Sequence, residues 1–594
     1  MQTIENRLSA VRALMAAAEV DAFIVPRSDE YLGEYVPEYN ERLLWMTGFT
    51  GSAGMAIVLK DRAAIFVDGR YTVQVRQQVI ESQFAYHHLI EEPPIEWLVK
   101  QLPAGAKVGY DPRLHNLNWQ QKCETLLDKH DMALASMTNP IDASWQGRPV
   151  PEIHQALLLE QTYTGVSSEE KRKAIGAKVA EAGCDAALIF APDSVAWLLN
   201  IRGRDIPSLP LVLGYALITT DGSLSFITNL DKIPEGFADH VGPGVTVVSE
   251  AQAESVLAET QGKKILADPN TANAWSQLTM KTAGAELVAG ADPVLMPKAC
   301  KNSTEIQGMK NAHIRDGVAE VNFLAWLDRE VAADRLHNEA ELSDQLLAFR
   351  QEQDLFQEVS FDTISAAGSN AAMCHYNHMN ADEPAELQMD GVYLVDSGGQ
   401  YLDGTTDITR TVAIGEAGDE IRRMFTLVLK GHIALDQARF PEGTTGTHLD
   451  GFARQFLWQQ GYDFDHGTGH GVGCYLSVHE GPQRIAKALN ATPLKPGMVL
   501  SNEPGYYKDG AYGIRCENLV VVKEAEGLPG NDKTMLEFEH ITLAPFDLRL
   551  VDESLMTADE IEWLNAYHVE VRETLSPYVT DENQQWLEAA TRAI

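Results

Sequence analysis

The sequence has few cysteines and little positive charge. Its six cysteines are scattered without paired spacing, at positions 123, 184, 300, 374, 474 and 516. This scatter argues against a disulfide framework and predicts small, buried, reduced thiols. The 47 basic residues are outnumbered by 85 acidic ones, which gives a formal net charge of −38. Because this charge repels phosphate backbones and anionic lipid, we expect no nucleic-acid partner and no membrane association.

Long apolar runs are also missing. No stretch approaches the roughly 18 uncharged apolar residues of a membrane-spanning helix. The apolar residues near the amino terminus are interrupted by Glu19 and Asp21, a pattern that is not typical of a signal peptide. We therefore expect a cytoplasmic protein.

The chain does have length and a repeated pattern. At 594 residues it exceeds the size at which one core stops growing, so several domains are expected. Residues 7–26 and 171–192 both run from a helical apolar period through a turn to a β-prone run, with Asp21 and Asp185 at equivalent points. A chance match of a common helix–strand unit is the alternative, although a tryptophan follows each copy.

The pattern predicts three domains, at residues 1–155, 156–304 and 305–594. The first two begin with the repeated unit and continue with strand-like runs and turns, so both are predicted to be α/β. The proline-rich, polar stretch around 140–170 and the region near 293–310 are interpreted as linkers. The third domain begins with helical segments and continues with glycine-separated strands, which favours α+β.

Two aspartates interrupt strands of the third domain. Asp396 follows the apolar run of VYLVDSGG, and Asp407 comes eleven residues later. An ionised carboxylate among apolar residues needs a counter-charge or water. An antiparallel hairpin would bring both side chains to one face. Taken singly, either residue is better interpreted as a turn aspartate.

Two glutamates interrupt later strands in the same way. Glu503 lies in MVLSNEPGYY, and Glu517 lies in GIRCENLVVV. Buried glutamates are rare without a partner. A structural ion pair with Arg515 is the alternative explanation for Glu517, but it leaves the other three carboxylates unexplained.

The stretch HGTGHGVG at 466–473 surrounds His470 with four glycines. Glycine is costly in regular structure, so we interpret these as giving a bound group close access to the backbone and imidazole. Four carboxylates within a few ångströms would repel one another, whereas two divalent cations neutralise them. The residues that together predict a dinuclear metal centre for hydrolysis are Asp396, Asp407, His470, Glu503 and Glu517.

Three motifs, HGTGHGVGCYLSVHEGP, SNEPGYY and GIRCENL, resemble the peptidase family with the pita-bread fold, which includes methionine aminopeptidases, prolidases and aminopeptidase P. That family has five metal ligands in the order Asp, Asp, His, Glu, Glu, and each matches a residue named above. Along nearly the whole chain the sequence resembles three-domain Xaa-Pro aminopeptidases. This implies two creatinase-like α/β domains, then a pita-bread catalytic domain with a C-terminal extension.

The resemblance also implies roles for individual side chains. His479 matches the residue that hydrogen-bonds the scissile carbonyl, and Glu503 matches the ligand that also shuttles a proton to the departing nitrogen. His375 and His466 match histidines that line the pocket for the proline ring. For His375, the neighbouring His378 is a rival, and an exposed loop histidine without a role is a further alternative.

The activity implied by the resemblance is removal of the N-terminal residue from peptides with proline at the second position, by attack of a hydroxide shared by two metal ions. Manganese is the expected ion because the ligands are mostly oxygen, although zinc, cobalt or iron fit the same set. A prolidase acting on dipeptides and a non-catalytic binding protein on the same fold are the alternatives. The family also implies a homodimer.

Overall fold

The computed structural model describes residues 2–530 and 532–594. Met1 and Asn531, which fall in the first and third predicted domains, lie outside the described residues. The chain divides into two compact units. The first contains residues up to Leu158, Val166–Pro207 and Leu211–Val294, and the second contains Leu159–Gly165, Ser208–Pro210 and Leu295–Ile594.

The first unit contains two six-stranded sheets built to the same plan. In spatial order, one consists of Ala85–His88, Ala63–Val67, Gly54–Leu59, Ala22–Pro26, Lys107–Tyr110 and Ala133–Ser136. The other consists of Val245–Ser249, Leu224–Thr228, Gly214–Thr219, Ala186–Ile189, Lys264–Ala267 and Glu286–Ala289. In each sheet the third strand runs antiparallel to both neighbours, and the remaining neighbours are parallel. Leu157–Leu158 and Ile201–Arg202 form a further short pair.

Helices accompany the strands of the first unit. They are Ile4–Ala17, Arg42–Thr47, Gln74–Gln78, Pro94–Gln101, Leu117–Asp128, Pro140–Ser144, Ser168–Glu181, Pro192–Leu199, Phe237–Val241, Ala253–Ala258 and Ala274–Ala283. The alternation of helices with mixed sheets makes both parts α/β, as predicted.

The predicted repeat is confirmed down to individual hydrogen bonds. The Asp21 amide donates to the carbonyl of Lys107 (2.8 Å), and the Asp21 carboxylate accepts from the Lys107 amide (2.8 Å). Asp185 makes the same two bonds with Lys264, at the same distances. Each aspartate thus ties the entry of a buried strand to the parallel strand beside it.

The two predicted linkers are more regular than expected. The stretch 140–170 contains Pro140–Ser144 and Gln161–Thr164, and the region 293–310 contains Leu295–Ala299. Pro140 occupies the first turn of its helix, where proline is compatible with helical structure because that amide has no intrahelical partner. The domain boundaries themselves stay a prediction.

The second unit begins its long helix at the predicted place. Ser303–Ala332 is capped by Asn302, whose side chain accepts from the amides of Thr304 and Glu305. The helices of the unit are Gln161–Thr164, Leu295–Ala299, Ser303–Ala332, Glu339–Gln351, Asp419–Asp436, Gly446–Trp458, Ala558–Leu575 and Asp581–Ala590. Buried side chains from several of these helices, including Val428, Leu564 and Leu587, share one apolar cluster.

Four sheets complete the second unit. The largest consists, in spatial order, of Arg439–Pro441, Met535–His540, Asn518–Glu524, Val499–Asn502, Gly469–Gly471 and Glu480–Ile485. Two three-stranded sheets are Phe356–Val359, Gly399–Tyr401 and Gly404–Thr405, and Ile364–Ala367, Gly391–Ser397 and Ile408–Ile414. Gly505–Lys508 pairs with Tyr512–Arg515. Among the described residues, the helices all fall short of the length and apolar character that a bilayer crossing requires.

Candidate metal centre

Asp396 and Asp407 are brought together by the predicted antiparallel pair. Asp396 is the sixth residue of Gly391–Ser397, which pairs along its length with Ile408–Ile414. Asp407 immediately precedes that second strand, and both aspartates are buried. The hairpin prediction is therefore confirmed, and Asp396 lies inside a strand rather than in a turn.

The other three residues come from neighbouring strands of the six-stranded sheet. His470 lies in Gly469–Gly471, Glu503 follows Val499–Asn502, and Glu517 precedes Asn518–Glu524. The middle strand of this trio is Val499–Asn502. The Glu517 amide donates to the Thr409 carbonyl (3.3 Å), which joins this sheet to the aspartate hairpin.

The glycines beside His470 have a different use from the one expected. A Cβ atom on Gly469 would lie 2.0 Å from the Ser501 carbonyl oxygen, and one on Gly471 would lie 2.2 Å from the Glu480 carbonyl oxygen. These two glycines therefore allow backbones to pack closely around His470. The interpretation that glycines here clear space for a bound group is wrong for these two positions.

The candidate ligands converge. His470 Nε2 lies 3.3 Å from Asp407 Oδ2 and 3.5 Å from Glu503 Oε1. One ligand atom each from Asp407, His470 and Glu517 lie within 4.8 Å of one another. Thr409 Oγ1 donates to Glu517 Oε2 (2.6 Å), and Ser501 Oγ donates to Glu503 Oε1 (3.0 Å).

Asp396 contributes from the edge of this group. Arg515 Nη2 donates to its Oδ2 (2.6 Å), while its buried Oδ1 has no hydrogen-bond partner among the described residues. Arg515 therefore pairs with Asp396, and the alternative in which it pairs with Glu517 is not the arrangement found. A buried carboxylate oxygen without a donor is unfavourable, and a cation would satisfy it.

The electrostatics show how crowded the carboxylates are. Burial and the charges of Asp407, Glu503 and Asp396 raise the pKa of Glu517 well above its usual value. Burial also raises the pKa of Glu503 to about 7, against the opposing effect of His470 and Arg515. Burial alone would lower the pKa of His470, but Asp407 and Glu503 raise it to about 9. The residues present thus fit a pair of divalent cations, which would replace these protons.

Two of the three remaining histidines lie against this group. His466 Nδ1 is 4.0 Å from Glu503 Oε2, and the His466 ring is held by Tyr507, whose hydroxyl lies 2.7 Å from Nε2. Nδ1 donates to the Gly467 carbonyl (2.8 Å), so Nε2 is the acceptor from Tyr507. His479 is exposed, with its ring centroid 4.4 Å from that of His470.

An electrostatic effect on His466 links His375 to the site. Burial, and then the charges of Arg515 and His375, lower the pKa of His466 to about 3, which places His375 within electrostatic reach of His466. The Cys374 carbonyl beside it accepts from Arg515 (3.4 Å). His378 is buried at the start of the short 3-10 helix His378–Asn380, whereas His375 is exposed.

Sequence reasoning missed Tyr507 and Thr409, and the alternative partner it offered for Arg515, Glu517, is not the one found. Arg515 Nη1 donates to the Tyr507 hydroxyl (2.7 Å), so one guanidinium connects Asp396 with the tyrosine that holds His466. The position of Thr409 in a strand-like stretch of the third domain was the available signal, since hydroxyls buried in a strand need partners. Apart from the contact with Tyr507, these contacts of Arg515 join segments over 100 residues apart and had no local signal.

Family models match nearly the whole chain. Two models described as Creatinase/Prolidase N-terminal domain match residues 7–144 and 147–305. Metallopeptidase family M24 matches residues 307–524, which include all of the residues just described. The C-terminal region of peptidase_M24 matches residues 534–594.

Individual relatives agree with the models. The chain is 38% identical over 633 residues to Aminopeptidase P2 of Arabidopsis thaliana, covering 100% of this chain and 89% of the relative. It is 33% identical, with a TM-score of 0.95 and full coverage of both chains, to an X-prolyl aminopeptidase from Caenorhabditis elegans described as a cytosolic enzyme with a di-nuclear active site. An Xaa-Pro dipeptidase from Bacillus anthracis is 26% identical with a TM-score of 0.51, covering 64% of this chain and 99% of that one. The chain therefore belongs to metallopeptidase family M24, within its aminopeptidase P group.

Proposed function

We propose that this protein is a dinuclear metallo-aminopeptidase that removes the N-terminal residue from peptides with proline at the second position. The observation that carries the proposal is the convergence of three buried carboxylates, the half-buried Glu503 and His470, where Arg515 pairs with Asp396 and leaves the other carboxylates without an arginine or lysine partner among the described residues. Full-length similarity to an aminopeptidase P and to an X-prolyl aminopeptidase supports the specificity.

The metal ligands we propose are Asp396, Asp407, His470, Glu503 and Glu517. When bound, two divalent ions would polarise the peptide carbonyl and lower the pKa of a water molecule. Thr409 and Ser501 orient the carboxylates of Glu517 and Glu503 through their hydroxyl groups. Such second hydrogen bonds fix the direction in which a ligand presents its free oxygen.

Four side chains would act on the peptide itself. His479 would donate to the carbonyl oxygen as negative charge develops there, because it is exposed beside His470. Glu503 would accept a proton and deliver it to the departing proline nitrogen. His466 and His375 would line the proline pocket. Proline requires such a pocket because its nitrogen has no hydrogen and its ring fixes φ.

Manganese is the ion we propose. Four carboxylates and one imidazole form a hard, oxygen-rich donor set that suits manganese better than structural zinc. Metal-stripped protein should recover activity with Mn²⁺ when the ions are added back one at a time. Full recovery with Zn²⁺ and none with Mn²⁺ would overturn this choice.

One assay separates the proposed aminopeptidase from a prolidase. The protein is incubated with Arg-Pro-Pro and with Ala-Pro, and products are followed by mass spectrometry. We expect arginine and Pro-Pro from the tripeptide. A prolidase would release proline from Ala-Pro alone, and a non-catalytic protein would leave both peptides intact.

Cytoplasmic location and a homodimer complete the proposal. The location rests on the expectation from sequence and on the C. elegans enzyme, which is described as cytosolic. Size-exclusion chromatography with light scattering tests the assembly. A mass near 131 kDa, twice the 65.4 kDa of the chain, is expected, and a monomer at micromolar concentration would refute it.

A further inference from the structure

Arg410 is a buried cation that the proposed chemistry does not use. Its side chain is 1% exposed, and all its hydrogen-bond acceptors are uncharged oxygens. The six acceptors are the carbonyls of Thr409 (3.0 Å), Glu517 (2.6 Å), Ala544 (2.7 Å) and Pro545 (3.1 Å), Asn518 Oδ1 (2.9 Å) and the Tyr567 hydroxyl (3.0 Å). Every guanidinium nitrogen is engaged.

One side of this network holds a candidate metal ligand. Arg410 Nη1 binds the carbonyls of Thr409 and Glu517 together. The same two residues are joined by the Glu517 amide (3.3 Å) and by the Thr409 hydroxyl on the Glu517 carboxylate (2.6 Å). Arg410 thus fixes the peptide units from which the Glu517 side chain extends, and it does so without touching the carboxylate.

The other side of the network belongs to a distant part of the chain. Tyr567 lies in the helix Ala558–Leu575 and donates its hydroxyl hydrogen to the Ala544 carbonyl (2.9 Å). The Phe546 ring stacks 4.1 Å from the guanidinium, and the Phe546 amide donates to His568 Nε2 (3.1 Å). All four of these residues fall in the C-terminal region, residues 534–594.

Only arginine has the groups for this arrangement. A guanidinium offers five N–H donors in a rigid planar fork, whereas a lysine ammonium offers three from a single point. A lysine at this position would keep the charge but would leave several buried carbonyls without donors, which is unfavourable. The geometry is therefore that of a clamp between two segments rather than of a counter-charge.

We propose that Arg410 is a positioning residue through which the C-terminal segment, by Tyr567 and residues 544–546, holds Glu517 in its metal-binding orientation. The inference rests on the proposed function, because it requires Glu517 to bind metal. By this proposal the C-terminal region supports the metal centre through Arg410. Within this network, its residues do not contact the side chains of the proposed ligands.

The test is isothermal titration of Mn²⁺ into metal-stripped protein. Arg410→Lys should bind one of two ions at least about tenfold more weakly, and Tyr567→Phe, which removes one hydrogen bond, about two- to tenfold more weakly. Tyr578→Phe, on an exposed tyrosine of the same region, should match the wild type. Turnover of both weakened variants should return towards the wild-type value at saturating Mn²⁺, which a general folding defect would not allow.

The outcomes are distinguishable from failure of the proposed function. If wild-type protein binds fewer than two ions or leaves Arg-Pro-Pro intact, the proposed function fails. If the wild type behaves as proposed but Tyr567→Phe and Arg410→Lys bind both ions as tightly as it does, only the role of Arg410 is overturned. Should Arg410→Lys fail to fold, as judged by its thermal unfolding, Tyr567→Phe alone decides the question.

Discussion

Two groups of buried charge in the second unit differ in how far the protein's own cations balance them. In the first, which we call the arginine cluster, Arg350 donates to both oxygens of Asp316 (2.8 and 3.1 Å) and to Glu320 (2.7 Å). In the second, the candidate metal centre, Arg515 donates to one oxygen of Asp396, and the other has no partner among the described residues.

The difference appears in which carboxyls keep their protons. Burial favours the neutral form of Asp316, but Arg350 and a hydrogen bond from Tyr401 hold its pKa below the usual value. Burial raises the pKa of Glu320 to about 7, so at neutral pH the arginine cluster has little unbalanced charge. In the candidate metal centre, burial raises the pKa values of Asp396, Glu503 and Glu517 together. Buried carboxylates that are neutralised by an arginine of the protein are structural. Buried carboxylates without such a partner, as in the candidate metal centre, require bound cations.

Removing one carboxylate from the candidate metal centre should have the largest effect on metal content and activity. Glu517→Gln takes away a negative charge and a proposed metal ligand, so we expect loss of at least one ion together with activity. The matched control is Glu524→Gln, because Glu524 is exposed at the far end of the strand Asn518–Glu524 that Glu517 precedes. Metal analysis of folded protein decides, and two retained ions with near-normal turnover would make the assigned centre wrong.

His479→Ala should come next, and it separates chemistry from metal binding. The proposed hydrogen bond strengthens only as charge develops on the carbonyl oxygen. We expect kcat to fall by about 100- to 1,000-fold with little change in KM and with both ions retained. A variant that loses an ion, or that turns over within a few-fold of the wild type, would contradict this role.

His466→Ala should have a smaller effect that falls on specificity. Its imidazole is held in place by Tyr507, beside the proposed ligands and not among them. We expect the preference for proline over alanine at the second position to drop by on the order of tenfold, together with some loss of rate. The ratio of kcat/KM for matched Pro and Ala peptides measures this, and an unchanged ratio would remove His466 from the proline pocket.

The raised pKa values predict that metal binding releases protons. Without metal, His470, with a pKa of about 9, is protonated at pH 7, and Glu503, with a pKa of about 7, is partly so. Ligands bind metal only when deprotonated, so affinity should rise with pH between about 6 and 9, by roughly tenfold per pH unit for each proton released. Calorimetry in buffers of different ionisation enthalpy counts the protons. If no protons were released on metal binding at pH 7, the raised pKa values of His470 and Glu503 would be refuted.

Breaking the arginine cluster should affect stability and leave the metals alone. Arg350→Met strands two buried carboxyls without their cation, which typically costs about 3 to 5 kcal/mol. We expect a lower unfolding midpoint in denaturant but two ions per folded chain. A variant that loses metal at conditions where it is fully folded would show that the two groups are coupled.

The fold and the gathering of the candidate ligands were largely predictable because their signals are local. The repeat around Asp21 and Asp185 combines a helical period with a buried run. In the structure both aspartates make the same pair of hydrogen bonds to the neighbouring parallel strand. Carboxylates inside apolar strands are conspicuous because burial of charge is costly. The antiparallel pairing that unites Asp396 and Asp407 followed from the glycines between them.

What sequence could not supply was the set of contacts between distant segments. Arg515 pairs with Asp396 across 119 positions, and Arg410 reaches Tyr567 across 157. Neither residue has a periodic or local pattern that names its partner. The use of Gly469 and Gly471 was misjudged for the same reason, since the backbone that crowds each comes from another strand.

The central claim is that the candidate metal centre binds two metal ions. Anomalous diffraction from crystals grown with Mn²⁺, collected on both sides of the manganese absorption edge, tests it directly. We predict two anomalous peaks among Asp396, Asp407, His470, Glu503 and Glu517, and none at the arginine cluster. A single peak, or peaks that avoid these five side chains, would contradict the account.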